Sequence, residues 1–187
     1  MHPQNSEGMD RIQLKDKVFE LYIPEKDIKK AIEEVAIQIK RDIERTNPLF
    51  VGILNGAFMF IADVMHCLNG PYELTFARYA SYHGTGSSGD IIEIMPIKSE
   101  VKGRSVILLE DIIDTGFTMK HVIRKLKEEG ASDVKLATML FKPSALQHDI
   151  KPDYIGMEIS NDFIVGYGLD YDELGRAYRD IYKIVEE

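Results

Sequence analysis

The chain reads as an α/β fold, a mostly parallel twisted sheet with helices on both faces, and three observations predict it. Apolar runs of strand length alternate with amphipathic helical stretches, the order that parallel strands joined by crossover helices require. The runs at 49–54 (LFVGIL) and 105–109 (SVILL) are apolar at successive positions rather than at every second one, as in strands covered on both sides. A length of 187 residues suits one hydrophobic core and leaves little room for a second. We therefore expect one domain over 1–187, with 1–10 a loose polar tail in which Met9 is a second candidate start.

The elements follow in order. Residues 25–45 form an amphipathic helix, with Ile28, Ile32, Val35, Ile39 and Ile43 on one face. Pro24, Glu25 and Asp27 suit its start, Lys40, Arg41 and Arg45 its end, and Asn47-Pro48 stops it. After the strand at 49–54 comes an Asn55-Gly56 turn and a helix over 57–68, with Gly70 as its cap. Strands at 72–79 and 91–97 flank SYHGTGSSGD at 81–90, which is too rich in Gly and Ser for a core and reads as a long loop. The strand at 105–109 leads to a helix over 115–129, with Met119, Val122, Ile123 and Leu126 on its buried face and Gly130 closing it. A strand at 134–141, a connection over 142–153 and short strands at 154–157 and 163–165 complete the set. No internal repeat or linker interrupts it.

Composition narrows the function. Hydrophobic residues make up 44% and charged residues 29%, an ordinary globular balance. A net charge of −8 argues against nucleic acid or an anionic membrane as partner. An anionic ligand would have to be met locally, or with a divalent cation. The single cysteine, Cys67, has no internal partner, and the N-terminus has no apolar signal core. The longest apolar runs, such as 58–62, are too short to span a bilayer. These features predict a cytoplasmic protein.

The chemistry concentrates at 106–118, VILLEDIIDTGFT. Ligands of parallel α/β sheets bind outside the carboxyl ends of the strands, where Glu110 and Asp111 fall. Asp114 then opens a turn in which Thr115, Gly116 and Thr118 lead into a helix. Unpaired N–H groups at a helix start, two hydroxyls and a glycine make a phosphate cradle. Acids beside such a cradle make sense if they bind another part of the same ligand, sugar hydroxyls or a magnesium ion. Taken by itself, the turn reads as readily as a capped helix below two solvated acids.

VILLEDIIDTGFT resembles the phosphoribosyl pyrophosphate motif of type I phosphoribosyltransferases, and EDIIDTG is close to the form in that family's hypoxanthine-guanine branch. The likeness continues in the family's order over residues 54–176. Leu54-Asn55-Gly56-Ala57 resembles its pyrophosphate loop, and Ser81-Tyr82 the dipeptide of its flexible catalytic loop. Lys142 and the stretch FIVGYGLDY, from Phe163 and Ile164 to Asp170 and Tyr171, resemble its purine pocket. Arg176 resembles its C-terminal pyrophosphate contact. Five motifs in order are far more specific than one.

The resemblance implies the type I phosphoribosyltransferase fold, with a small hood formed by terminal segments. It implies purine salvage: transfer of the phosphoribosyl group from phosphoribosyl pyrophosphate to hypoxanthine or guanine, giving IMP or GMP and pyrophosphate through an oxocarbenium-like transition state. Glu110 and Asp111 would hold the ribose hydroxyls, directly or through magnesium-bound water, and Asp114, Thr115, Gly116, Phe117 and Thr118 the 5′-phosphate. Asp114 would also be the general base at N7. Lys142 would donate to the 6-oxo group, Phe163 would stack on the purine, and Ile164 would offer backbone groups to its edge. Leu54, Asn55 and Gly56 would face pyrophosphate across a peptide that is often cis in this family. Glu110, Asp111 and Asp170 are the metal candidates, Asp170 helping to hold a second Mg2+ near pyrophosphate, and closure of the 81–90 loop would bring Ser81 and Tyr82 over the site to exclude water. A homodimer or homotetramer is expected.

Two departures stand out: Asn55 occupies a position where lysine is common, and Phe117 one where polar residues are common. The histidines show no metal or triad spacing. Two other readings fit parts of the sequence. A xanthine-preferring enzyme would differ in recognising a single edge group of the base. An RNA-binding regulator on the same fold would share the phosphate turn, but would want a basic face and has no need of Asp114.

Overall fold

In the computed structural model, which describes residues 10–44, 46–82 and 90–185, ten strands and three helices are seen. They run β1 (Arg11–Leu14), β2 (Lys17–Ile23), α1 (Glu25–Ile43), β3 (Leu49–Leu54), α2 (Phe58–Leu68), β4 (Glu73–Tyr82), β5 (Asp90–Met95), β6 (Ser105–Ile113), α3 (Phe117–Glu128), β7 (Asp133–Phe141), β8 (Tyr154–Glu158), β9 (Ile164–Val165) and β10 (Ile181–Ile184). Six strands form the main sheet in the order β5-β4-β3-β6-β7-β8. Every neighbouring pair is parallel except β4 with β5.

The successive apolar residues of the central strands serve two cores. Phe50, Ile107 and Leu109 pack with α1 and α2, through Ile32, Val35, Phe60 and Val64. Leu49, Val51, Ile53, Val106 and Leu108 point the other way, onto Met119, Val122 and Leu126 of α3. Period-two alternation of side chains thus buries every position of these strands. Each fully buried aliphatic side chain contributes about 1.5–3 kcal/mol.

A second sheet, antiparallel in the order β1-β2-β10-β9, joins the two ends of the chain. This is the hood. Its short strands were not predicted one by one over 11–23 and 181–184.

Several boundaries differ from the sequence reading, each for a local reason. α1 stops at Ile43, the last residue of its apolar face. α2 is closed by Asn69 in the left-handed conformation, its N–H donated to Met65 O at 3.0 Å, rather than by Gly70. Asparagine tolerates that conformation. β4 and β5 extend to Tyr82 and Asp90 because their antiparallel ladder carries polar residues as well as apolar ones, so the predicted loop narrows to 83–89, outside the described residues. β6 continues past 109 to Ile113, held by pairing with β7 as far as Phe141. Glu110 and Asp111 therefore lie within the strand rather than after it. α3 starts at Phe117, two residues later than predicted, because Gly116 takes the left-handed N-cap position.

Besides apolar packing of Ile23, Ile164 and Ile181 with the face of α1, one side chain beside β10 caps the helix. Pro24 occupies the N-cap of α1 in extended geometry and offers no side-chain cap. The orphan N–H of Glu25 is donated instead to Asp180 Oδ1, at 2.7 Å, immediately before β10. A carboxylate here also complements the helix dipole. Asp180→Ala is expected to cost about 1 kcal/mol, the usual value of a lost cap, and Asp180→Asn less. A lower midpoint in urea at unchanged slope, measured for both variants, is the check.

Candidate active site

β3 and β6 are neighbours in the sheet, yet the chain proceeds outward from them in opposite directions, β3 to β4 and β6 to β7. Such a switch point leaves a crevice at the carboxyl ends of the strands. The β3–β6 pairing ends at Gly52 with Leu109, and beyond it a cavity of about 310 Å³ opens. Leu54, Asn55, Gly56, Tyr79 and the whole of 110–119 line it.

One wall is the loop after β3, where the Leu54–Asn55 peptide is cis. A Cβ on Gly56 would lie 1.6 Å from Asp111 Oδ2. Only glycine lets that carboxylate rest against the loop backbone.

The opposite wall is the start of α3. Gly116 has φ 79, and a Cβ there would meet Leu146 and Ile150 at 2.9 Å. Those side chains come from the connection after β7, which also donates Gln147 N–H to Thr115 O at 3.1 Å and places His148 against the Phe117 ring at 5.3 Å. The helix's first internal bond is from Lys120 N–H to Gly116 O at 3.0 Å. The N–H groups of Phe117, Thr118 and Met119 therefore have no intrahelical acceptor. Phe117 N–H reaches only Thr115 Oγ1, at 3.4 Å. Asp114 makes no capping bond, which removes the bland explanation for its presence.

Between these walls stand the acids. Burial holds the Glu110 carboxyl well above the usual carboxylate range, and the charge of Asp111 raises it further. Burial raises Asp111 too, opposed by hydrogen bonds from Glu110 and from its own neighbourhood and by the charge of Arg176. Asp111 Oδ1 accepts from Ile112 N–H at 2.8 Å. The two carboxyls follow one another along β6, so a hydroxyl or a cation in the cleft would meet carboxyl oxygens from both.

Lys142, only 6% exposed, follows β7 directly, and its N–H is donated to Ile113 O at 2.9 Å. Its ammonium faces Asp114 Oδ2 at 3.8 Å, beyond hydrogen-bond range.

A family model described as a phosphoribosyl transferase domain matches residues 23–172. The chain belongs to the phosphoribosyltransferase family. It is 35% identical over 169 residues to a hypoxanthine-guanine phosphoribosyltransferase of Bacillus subtilis (strain 168), covering 90% of this chain and 92% of that protein. To one of Lactococcus lactis it is 41% identical over 164 residues, with coverage of 80% and 89%. A crystal structure of a hypoxanthine phosphoribosyltransferase from Staphylococcus aureus superposes with a TM-score of 0.84 at 33% identity, covering 89% of this chain and 91% of that one.

In this phosphoribosyltransferase the remaining sequence-predicted residues lie beside the cleft rather than along its walls. Phe163 is 47% exposed, edge-on to Tyr171 at 6.0 Å. Ile164 is buried in β9. Arg176 donates to Gly168 O at 2.9 Å and pairs with Asp170 at 2.8 Å and Glu173 at 3.0 Å. Asp170 also accepts from Glu173 N–H at 2.8 Å. This turn abuts the β3 loop, since a Cβ on Gly168 would lie 2.0 Å from Gly56 O. Ser81 and Tyr82 end β4 by their backbone, and their side chains, with the proposed closure of the loop, fall outside the described residues. Tyr79, which lines the cavity, was not anticipated. An aromatic in a strand reads as core, and no local signal marks it otherwise.

The raised carboxyls give a pH signature. A carboxyl raised on folding binds more protons in the folded state, so its contribution to stability is present at low pH and is lost as pH rises through its folded value. Glu110→Gln is therefore expected to melt above the wild type at about pH 8, with the gain shrinking toward about pH 4. Thermal unfolding of both proteins across that range is the measurement.

Proposed function

We infer that this chain is a purine-salvage phosphoribosyltransferase, joining hypoxanthine or guanine to the ribose of phosphoribosyl pyrophosphate with release of pyrophosphate. The observation that carries the choice of base is the Lys142–Asp114 pair, 3.8 Å apart at the cleft. A 6-oxopurine presents O6 and N7 side by side on one edge. An ammonium suits O6, and a carboxylate suits a proton on N7. Adenine puts an amino group where O6 would be, opposing donor to donor and leaving Lys142 unpaired, a large penalty at a desolvated site. The similarity to hypoxanthine-guanine phosphoribosyltransferases supports the same pair of bases.

The residues divide the work. The N–H groups and hydroxyls of Thr115 to Thr118 hold the 5′-phosphate, and Glu110 and Asp111 the ribose hydroxyls. Phe163 offers its exposed face to the base, and the 159–165 segment reaches it from Ile159, whose N–H is donated to Phe141 O at 2.8 Å. N9 forms a bond to C1 of the ribose as the bond from C1 to the pyrophosphate oxygen breaks. The proton on N7 passes to the Asp114 carboxylate.

Magnesium fits this donor set. Mg2+ keeps several waters and takes one or two carboxylates together with substrate phosphates, and Glu110 and Asp111 are two crowded acids, of which Asp111 feels the charge of Arg176 at a distance. Bound there, it would neutralise charge on the departing pyrophosphate. Among the described residues no three acidic, histidine or cysteine side chains converge as a metal cage. Asp170 would join a second ion only on parting from Arg176.

A cytoplasmic location accords with the free thiol of Cys67, and no described helix is long and apolar enough to cross a membrane. Self-association as a homodimer or homotetramer accords with Phe76 and Ile92, exposed on neighbouring strands at the edge of the sheet.

The test is a panel of hypoxanthine, guanine, xanthine, adenine and uracil, each with phosphoribosyl pyrophosphate and Mg2+, and with excess chelator as control. Nucleotide should form from the first two bases only, and not in chelator. Xanthine as the preferred base would refute the assignment.

Two variants check the roles. Asp114→Asn keeps size but loses basicity, so turnover is expected to fall about 10²–10⁴ with melting temperature and substrate binding nearly unchanged. Lys142→Ala is expected to raise KM for hypoxanthine much more than KM for phosphoribosyl pyrophosphate, as steady-state kinetics on both substrates would show.

A further inference from the structure

β4 is hydrogen-bonded to β3 only as far as Arg78, opposite Leu54. Beyond that point its sole partner is β5, through Tyr79 with Glu93, Ala80 with Ile92, Ser81 with Ile91 and Tyr82 with Asp90. β5 is itself the edge of the sheet, and the register shifts between Arg78 and Tyr79 where the ribbon departs. A two-stranded ribbon has marginal stability alone. This one carries the Ser81-Tyr82 backbone on from Tyr79, which lines the cleft, so something must fix its direction.

At the root of the ribbon lies a polar cluster on the face covered by α3. Tyr79, 9% exposed, donates its hydroxyl to Glu93 Oε1 at 3.0 Å. Lys125 of α3 donates to both oxygens of Glu93, at 2.5 Å each. His121, one turn nearer the start of α3, sets its ring edge-on to Tyr79 at 6.4 Å. Glu129 is the other charge on Lys125, at 3.8 Å. Lys125 and Glu93 are 30% and 27% exposed, too enclosed for the weak regime of surface pairs, and the two-pronged geometry is the strong one. Lys125 holds Glu93 below the usual carboxylate range, and burial raises the Tyr79 phenol. None of the three has a part in the chemistry above, and nothing in the fold of α3 requires them. Apart from His121 and Glu129, this face of the sheet packs apolar residues.

We propose that Tyr79, Glu93 and Lys125 are positioning residues, a clamp that fixes the root of the 79–82 ribbon to the helix whose first turn is the phosphate cradle. Ribbon and cradle then move as one body, and the Ser81-Tyr82 backbone stays in register with the bound ribose phosphate. The consequence for turnover rests on the function proposed above. The clamp itself does not.

The experiment is a charge swap. Glu93→Lys and Lys125→Glu each set like charges together, and the double variant restores an opposed pair, with Lys at 93 still able to donate to the Tyr79 oxygen. Lys125→Met removes the charge while keeping most of the stem, in case a reversal fails to fold. Two readouts are taken: amide hydrogen exchange over 79–82, and kcat with KM for phosphoribosyl pyrophosphate. Each single variant is expected to speed exchange there by about tenfold. Each should also lower kcat by about tenfold, with KM within about twofold, and the swap should recover most of both. Unchanged exchange in the single variants, no recovery in the swap, or losses that merely follow the melting temperature would overturn the clamp. A wild type that forms no nucleotide from any base would refute the proposed function, and the exchange readout would still decide the clamp.

Discussion

β3 and β6 stay hydrogen-bonded from Leu49 and Val106 to Gly52 and Leu109, and there the pairing stops. Their chains leave on opposite faces, β3 into α2 and β6 into α3, because each strand is apolar on both sides and each side needs its own helix. Parallel strands buried in this way cannot close the gap between their ends. Past Gly52 and Leu109 each strand stays paired only on its outer side, β3 with β4 to Leu54 and β6 with β7 to Ile113, and the polar groups between them must find other partners. Glu110 and Asp111 fall in that gap, and the unpaired N–H groups of α3 face it. The cleft is therefore a consequence of how the sheet is covered, and residues placed there inherit its partial desolvation.

That setting explains why acids and an anion cradle coexist. In water, the pair at 110 and 111 would simply be ionised. Here burial raises both, and the charge of the partner adds to the effect on Glu110. Asn55 brings no positive charge to the adjoining loop, and the guanidinium of Arg176 is engaged by Asp170, Glu173 and the Gly168 carbonyl. The described walls thus supply hydrogen-bond donors generously and cationic side chains sparingly. On the proposed function, a divalent cation arriving with the pyrophosphate supplies the missing charge.

What was legible in the sequence is what local pattern determines. Doubly buried strands appear as continuous apolar runs, and the helix at 25–43 shows its face through Ile28 to Ile43. The turn at 114–118 carries its own chemistry in consecutive residues. What was missed depends on partners far along the chain. β6 reaches Ile113 because β7 lies beside it, and β4 reaches Tyr82 because β5 does. Of the hood strands only the one at 164–165 was legible; the other three are four, seven and four residues long and show no periodicity that separates them from loop. Tyr79 is buried with the core, and its bonding to Glu93, which Lys125 also holds, joins residues that no window of sequence brings together. Asn69 displaced Gly70 as the cap of α2 because either residue accepts left-handed geometry, and composition does not choose between them.

The spacing of Lys142 and Asp114 is set by the same sheet. Lys142 continues the β6–β7 ladder through its own N–H to Ile113 O at 2.9 Å, so backbone pairing and burial place the start of its stem. Asp114 is likewise placed by the turn that follows Ile113. The two charges stop at 3.8 Å, near enough to stabilise one another and too far to hydrogen-bond. On the proposed function, a closer, hydrogen-bonded pair would have to be broken by the purine before it used either group, against a strong charge-assisted bond in a partly desolvated site. Held apart, the ammonium keeps its donors and the carboxylate its acceptors for a third partner. Such preorganisation removes a reorganisation cost at the moment of reaction, and here it follows from strand register.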